Sequence, residues 1–353
     1  MPPTLSTAKR SASSTECNTE GVPRLSPSDE RLAHQIPEPL RHVVTRHEHW
    51  RESYFFVMHP PEGNEGDVVI LTMATYPATE RLDSYQMGRI GGAHFFALHQ
   101  REFGDDPHAT VIGPVTIDIS EPFRTVRLQV LGEGAAPELD LVFRARTAPY
   151  AMRRGTMKRQ DEIIWDQSQM IQSGTFDGWY SLHGERREVR DWWGQRDHSW
   201  GIRDHPRCPM WMWLALQLPD GMLGLWHWEL ANGAPVFTDG CYAPSDGSEP
   251  IPVVGFRHAL DWLDADGAPC SYGLDGADVR GLSGTVEITL AGREPFVVEA
   301  AGKWAAPYGP RGGGQHFCTV QLSDGRSGNG VIEITGAHHH RYFPIARAES
   351  LPT

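Results

Sequence analysis

Lysine is almost missing from this chain: Lys9, Lys158 and Lys303 are the only three in 353 residues, and Arg carries the rest of the positive charge. Against 32 Lys and Arg stand 45 Asp and Glu, a formal net charge of -13 at pH 7. That balance argues against nucleic acid and against anionic membrane surfaces as partners. Cysteine is also scarce. The five, at 17, 208, 241, 270 and 318, are odd in number and show no C-x-x-C spacing. A disulfide framework or zinc ribbon is therefore not expected, and a reducing compartment is. No apolar run approaches the roughly 18 residues of a membrane helix, and the N-terminus lacks the apolar segment of a secretory signal. The expectation is a cytoplasmic protein with no integral membrane segment.

What is present is enough for a real core: 39% hydrophobic residues, 10% of all residues aromatic. Residues 1–38, rich in Ser, Thr, Pro and charge, read as a disordered tail. After it the pattern is one of strands. Ser53–His59 and Val68–Thr75 flank a Pro-acidic-Gly turn and read as a hairpin, and strand-length segments recur at Gly88–Gln100, Val111–Ile119, Thr125–Leu131 and Leu139–Thr147. Lys158–Gln172 fits a short helix or extended chain equally well. A second set of strands starts near Gly174. Short strands with regular turn signals predict an all-β chain in two halves, 39–173 and 174–347, and not alternating α/β units. The halves echo one another faintly: residues 53–75 and 210–230 each place an aromatic strand, a Pro-acidic-Gly turn and a second apolar strand in that order.

The densest stretch is Arg187–Leu230, which holds seven of the twelve Trp, at 192, 193, 200, 211, 213, 226 and 228. Asp220-Gly221 is a strong hairpin signal. As a two-residue loop it sets Trp213 opposite Trp228. Because alternate strand residues share a face, Trp211, Trp213, Trp226 and Trp228 then point one way, and Met212, Leu214, His227 and Glu229 the other.

Within the same stretch lies Arg196-Asp197-His198-Ser199-Trp200-Gly201. Adjacent strand residues face opposite sides, so Asp197, His198 and Ser199 cannot meet as a hydrolytic triad, and no G-x-S-x-G elbow exists. Asp197, His198, Asp204 and His205 offer metal-ligand types without a recognisable spacing, as do the His47-x-His49 pair and His338–His340. A third reading is that an Asp in an aromatic pocket loses the solvation of its anion, rises in pKa and becomes a general acid. Trp faces would then stabilise a carbocation formed by protonating an alkene. The plainer alternative is that Asp197 pairs with Arg196 or Arg203 and pins two β units together.

The segment GTFDGWYSLHGERREVRDWWGQRDHSWG, residues 174–201, together with ESYFFVMHPPEG from Glu52, resembles the lipocalin-like proteins related to carotenoid 1,2-hydratase (hydroxyneurosporene synthase) and AttH-like proteins, and more distantly tocopherol cyclase. The resemblance spans about 42–347. It implies two packed lipocalin-like antiparallel β-barrel units with an apolar ligand site, and no metal or organic cofactor. It also implies acid catalysis by Asp197; in the hypothesis built on this, His198 or Tyr180 would position the acid or handle water. Trp200, Trp211, Trp213, Trp226 and Trp228 would line the substrate pocket, and Arg203 would tune the acid. The expected function is a hydratase or cyclase acting on an alkene of an isoprenoid-like, steroid-like or polyketide-like molecule. The rival is a non-catalytic carrier of a hydrophobic small molecule, which the same aromatic cavity would serve.

Overall fold

The computed structural model describes residues 25–32, 47–61, 67–104, 110–132, 134, 136–207, 210–230, 232–270, 279–307 and 313–335. His338–His340 and most of the expected tail lie outside them.

Strands dominate, as the alternating pattern requires. The first sheet contains β1 (Trp50–His59), β2 (Val68–Tyr76), β3 (Arg81–Ile90), β4 (Ala93–Glu102), β5 (Val111–Ile112), β6 (Val115–Glu121), β7 (Thr125–Val130), β8 (Glu138–Ala145), β9 (Tyr150–Ala151), β10 (Gly155–Arg159), β11 (Glu162–Leu182) and β12 (Glu185–Arg203). Its main path runs β4-β3-β2-β1-β12-β11-β8-β7-β6-β5. The second sheet holds β13 (Met210–Leu218), β14 (Gly221–Glu229), β15 (Pro235–Pro244), β16 (Ile251–Leu263), β17 (Pro269–Cys270), β18 (Gly281–Leu290), β19 (Phe296–Pro307), β20 (Gly314–Leu322) and β21 (Ser327–Thr335). It runs β15-β14-β13-β21-β20-β19-β18-β16-β17 and closes on itself through β15 and β16. The chain is all-β in two barrel-like units. The sequence echo has a counterpart: β1 and β13 each open a meander and each pair with the last strand of their own unit, β12 and β21.

The units meet between β12 and β13, not near residue 174. That expected break falls inside β11, because β11 and β12 form one hairpin turned at His183-Gly184, both with positive φ (53° and 80°). Only Gly184 is a residue that announces such a turn. Lys158–Gln172 is extended, and Gly91-Gly92 splits Gly88–Gln100 between β3 and β4.

Strand alternation sorts the apolar residues into three layers. Tyr54, Phe56, Met58, Phe176 and Trp192 fill the first barrel. Met212, Leu214, Leu216, Leu223, Leu225 and Ile332 fill the second. The opposite faces of the same strands, with Val57, Trp165, Ile171, Trp213, Ala215 and Trp226, form a third core between the sheets. The β13–β14 hairpin pairs Leu218 with Gly221, Trp213 with Trp226 and Trp211 with Trp228. The loop is thus Pro219-Asp220, one residue earlier than expected, which moves every cross-strand partner by two. A shift of two preserves parity, so the four Trp do share one face.

Residues 25–32, inside the stretch expected as tail, are built into the fold. A short 3-10 helix (Pro27–Glu30) carries Glu30 into the first barrel, where it is 1% exposed.

Candidate functional site

Asp197 lies on β12, whose odd-numbered residues in this region face the second sheet. The motif glycines around it have a steric cause. β12 is flanked by β1 and β11, and a Cβ at Gly194 would stand 2.0 Å from the Val57 carbonyl oxygen, one at Gly201 2.0 Å from that of Asp166. On this face opens a cavity of about 550 Å³. Its wall combines Asp197, Ser199 and Arg203 from β12 with Trp165 and Gln167 from β11, Arg51 and Phe55 from β1, and Trp211, Trp213, Trp226 and Glu333 from the second sheet. The cavity therefore lies between the two units, not inside either barrel.

Asp197 and Ser199 are two apart on one strand, so they share the face. The Ser199 hydroxyl donates to Asp197 Oδ1 at 3.2 Å, and Arg203 Nη2 donates to Ser199 Oγ at 3.0 Å. Burial is the largest influence on the Asp197 carboxyl and pushes it up to about 7, against the opposing pull of Arg203, Arg51 and the Ser199 hydrogen bond. Burial and the nearby Arg51 depress Arg203 in turn, partly offset by Asp197. Arg51 donates to Tyr76 Oη at 3.1 Å and Ser53 Oγ at 2.6 Å. His205 is wedged against Trp165 and Trp211, with ring centroids 5.6 and 5.7 Å away. The residue keeps an exposed edge; desolvation against the indoles, then the charges of Arg203 and Arg51, shift its pKa downward.

The aromatic wall is tightly coupled. Trp165 sits at its centre, 5.3 Å from Trp211, 5.9 Å from Trp226 and 5.4 Å from Trp228. Phe55 meets Trp213 edge-on at 5.1 Å. Among the described residues, four buried polar atoms of this wall find no hydrogen-bond partner: Trp165 Nε1, Trp213 Nε1, Gln167 Oε1 and Arg203 Nε. Unsatisfied buried groups are rare, and a cluster of them around one cavity offers fixed polar contacts to an occupant.

Not every residue expected in the site is there. Asp197, Arg203, Trp211, Trp213 and Trp226 line the cavity. Trp228 stands behind it, against Trp226 and Phe237 at 4.7 and 4.8 Å. His198 and Trp200 occupy the opposite face of β12. There His198 Nε2 meets Glu52 Oε1 at 3.1 Å, and its ring packs on Tyr54 and Trp200. Tyr180 belongs to the first barrel, 5.8 Å from Trp192, and burial raises its hydroxyl. Strand alternation removes His198 and Trp200 from the acid, and Tyr180 lies nine residues along β11 from Ile171, the partner of Asp197. Nor do Asp197, His198, Asp204 and His205 converge as metal ligands, since Asp204 is engaged by Arg207 and faces His49 at 3.4 Å.

The sequence reading missed Arg51, Phe55, Trp165, Gln167 and Glu333. Trp165 had a usable signal, an aromatic in a segment compatible with a strand. Glu333, which accepts from Trp211 Nε1 at 3.2 Å and Gln315 Nε2 at 2.6 Å, had none.

A family of unknown function (DUF8625) has a model that matches residues 25–260. No curated protein matches the sequence. Among solved structures, the chain is similar to kievitone hydratase from Nectria haematococca, with 11% identity and a TM-score of 0.51 over 80% of this chain and 88% of that one. It is similar to a candidate AttH from Nitrosomonas europaea at 12% identity and a TM-score of 0.55, over 82% and 94%. CghA with Sch210972 aligns at 11% identity and a TM-score of 0.51, over 82% and 89%. Identities this low establish a shared fold.

Proposed function

We propose, for a chain that belongs to that family of unknown function, that the cavity between the sheets is an active site in which Asp197 protonates an alkene of an apolar small molecule. The observation that carries this reading is a carboxyl raised to about 7 inside a pocket walled by Trp165, Trp211, Trp213 and Trp226. Such an acid is protonated in a useful fraction near neutral pH and can give its proton up. In the proposed step the alkene π pair forms a C–H bond with the carboxyl proton, leaving a cation on the neighbouring carbon. Indole faces stabilise that cation. Water then adds and returns a proton to the Asp197 carboxylate, which is hydration; alternatively a second π bond of the same molecule attacks and a proton is lost, which is cyclisation. Both routes balance without a cofactor. His205, at the wall, is within reach of such a water. The substrate class is isoprenoid-like, steroid-like or polyketide-like: apolar enough for the indoles, with a polar group for the unpartnered wall atoms.

A second reading, a carrier without chemistry, draws on Arg51 and Arg203, whose charges favour the carboxylate over the acid. One experiment separates the two. Purified protein is incubated with a panel of isoprenoid, steroid and polyketide alkenes, and products are searched by mass for a gain of water or for an isomer. Asp197→Asn is expected to abolish turnover while ligand quenching of Trp fluorescence persists. Unchanged turnover in that variant removes Asp197 from the mechanism. Quenching without product from any member of the panel favours the carrier.

A further inference from the structure

The interior of the second barrel holds a group of side chains that the acid chemistry does not use. We infer that His227, Glu229 and His258 form a binding site for a first-row divalent cation of the zinc type. His227 and Glu229 are two apart on β14, on the inward face that also carries Leu223 and Leu225. His258 comes from β16, on the face that carries Leu260 and Trp262. Their three ligand atoms lie within 4.8 Å of one another. His227 Nε2 is 3.2 Å from Glu229 Oε1, and His258 Nε2 is 2.6 Å from the same oxygen. The side chains are 2%, 6% and 2% exposed.

A tetrahedral zinc with bonds of about 2.0–2.1 Å holds neighbouring donor atoms roughly 3.3 Å apart. The His227–Glu229 pair already stands at that spacing, the His258–Glu229 pair is closer than it, and all three donors lie within 4.8 Å, so a small swing of the His258 ring would even out the three separations. The surroundings favour a metal as well. His227 Nδ1 lies 2.7 Å from the hydroxyl of Thr238, its cross-strand partner on β15. Thr238 can fix the ring with Nε2 as the ligand atom, the outer-shell arrangement that metal-bound histidines use. Phe256 packs on both rings, at 4.8 and 5.8 Å, and supplies an apolar shell. Two imidazoles and one carboxylate suit zinc and its first-row neighbours, and not the oxygen-seeking calcium or magnesium. The site ties β14 to β16 across β15, so the cation acts as a clamp on the barrel. Its role is separate from the cavity beneath Asp197.

The test uses the full chain, freed of metal with EDTA, then titrated with zinc against a chromophoric chelator and, separately, with cobalt followed by visible absorption. One tightly held equivalent of zinc is expected, with cobalt bands of a four- or five-coordinate centre and a melting temperature raised by about 4 °C or more. His258→Gln and Glu229→Gln should each weaken zinc at least 100-fold with unchanged circular dichroism. Replacing His338, His339 and His340 together by Ala should leave binding intact. Failure of the wild-type protein to take up one equivalent overturns the proposal. So does binding that survives the barrel variants and disappears with the His338–His340 variant. In either case the three groups are an imidazole–carboxylate hydrogen-bond cluster and nothing more. If a barrel variant does not fold, the wild-type cobalt spectrum decides alone: bands of a six-coordinate ion count against the site.

Discussion

Arg196 and Asp197 are neighbours on one strand, yet they belong to opposite worlds. Arg196 points into the first barrel, where its guanidinium donates to both oxygens of Glu30 at 2.7 and 2.5 Å and to Gln172 Oε1 at 3.1 and 2.8 Å. Burial alone would raise Glu30, but the hydrogen bonds and charge of Arg196 outweigh it and hold this carboxylate below its ordinary range. Asp197 points outward into the cavity. There it meets its arginine through a serine, and burial wins. Both sites bury a carboxylate near an arginine. What differs is direct bidentate contact, which decides whether the group is a fixed anion or a usable acid.

The comparison breaks most severely at Arg196. Arg196→Ala strands Glu30 as an unpaired buried charge and should cost about 3–5 kcal/mol, read from urea unfolding. Replacing both partners, Glu30→Leu with Arg196→Met, should recover most of that loss.

The next effect is in the pH dependence, where the two carboxylates act with opposite sign. Glu30 has a depressed folded pKa, so its contribution is present above its ordinary value of 4.5 and is lost as pH falls through the folded value. Asp197 has a raised one, so its contribution is present below its ordinary value of 3.8 and is lost as pH rises through about 7. Urea midpoints of Asp197→Asn should therefore gain on the wild type between pH 4 and 7, whereas Glu30→Gln should flatten the acid side. Parallel curves for the two variants would refute the contrast.

The smallest change concerns the intermediary. Ser199→Ala removes a hydrogen bond that favours the carboxylate, so the apparent pKa of Asp197 should move up, by less than about one unit. The midpoint of the pH–rate profile, or of the Asp197-linked stability change, reports it. A downward move would show that Ser199 does not serve the anion.

Much of this contrast was legible in the sequence because it rests on local periodicity. Alternation alone separates Asp197 from His198, and turn parity alone puts Trp211, Trp213, Trp226 and Trp228 on one face, even with the loop placed one residue away. The illegible parts are long-range. Nothing near Glu30 in sequence says that its partner is 166 residues on. Nothing in β21 says that Glu333 faces the cavity of Asp197. The place where the units divide was misread for a related reason: β11 and β12 are 21 and 19 residues long, well beyond ordinary strands, so a periodicity reading cuts them into pieces. Tyr180, Trp200 and His198 were drawn into the site by closeness along the chain; the pleat then turns Trp200 and His198 away from the acid, and Tyr180 sits too far along β11.

The pairing of Glu30 with Arg196 also dates events during synthesis. The carboxylate leaves the ribosome long before the guanidinium it depends on, and β12, which carries Arg196, pairs with β1 at the other end of its unit. Until Arg203 has emerged β1 cannot complete its pairing with β12, and until β21 follows, Val57, Trp165 and Ile171 have no complete second sheet to cover them. The nascent chain thus carries an aromatic, aggregation-prone surface from the emergence of Trp165 until β21 is made. The surface that is proposed to cradle a substrate in the finished protein is therefore a liability while the protein is being made.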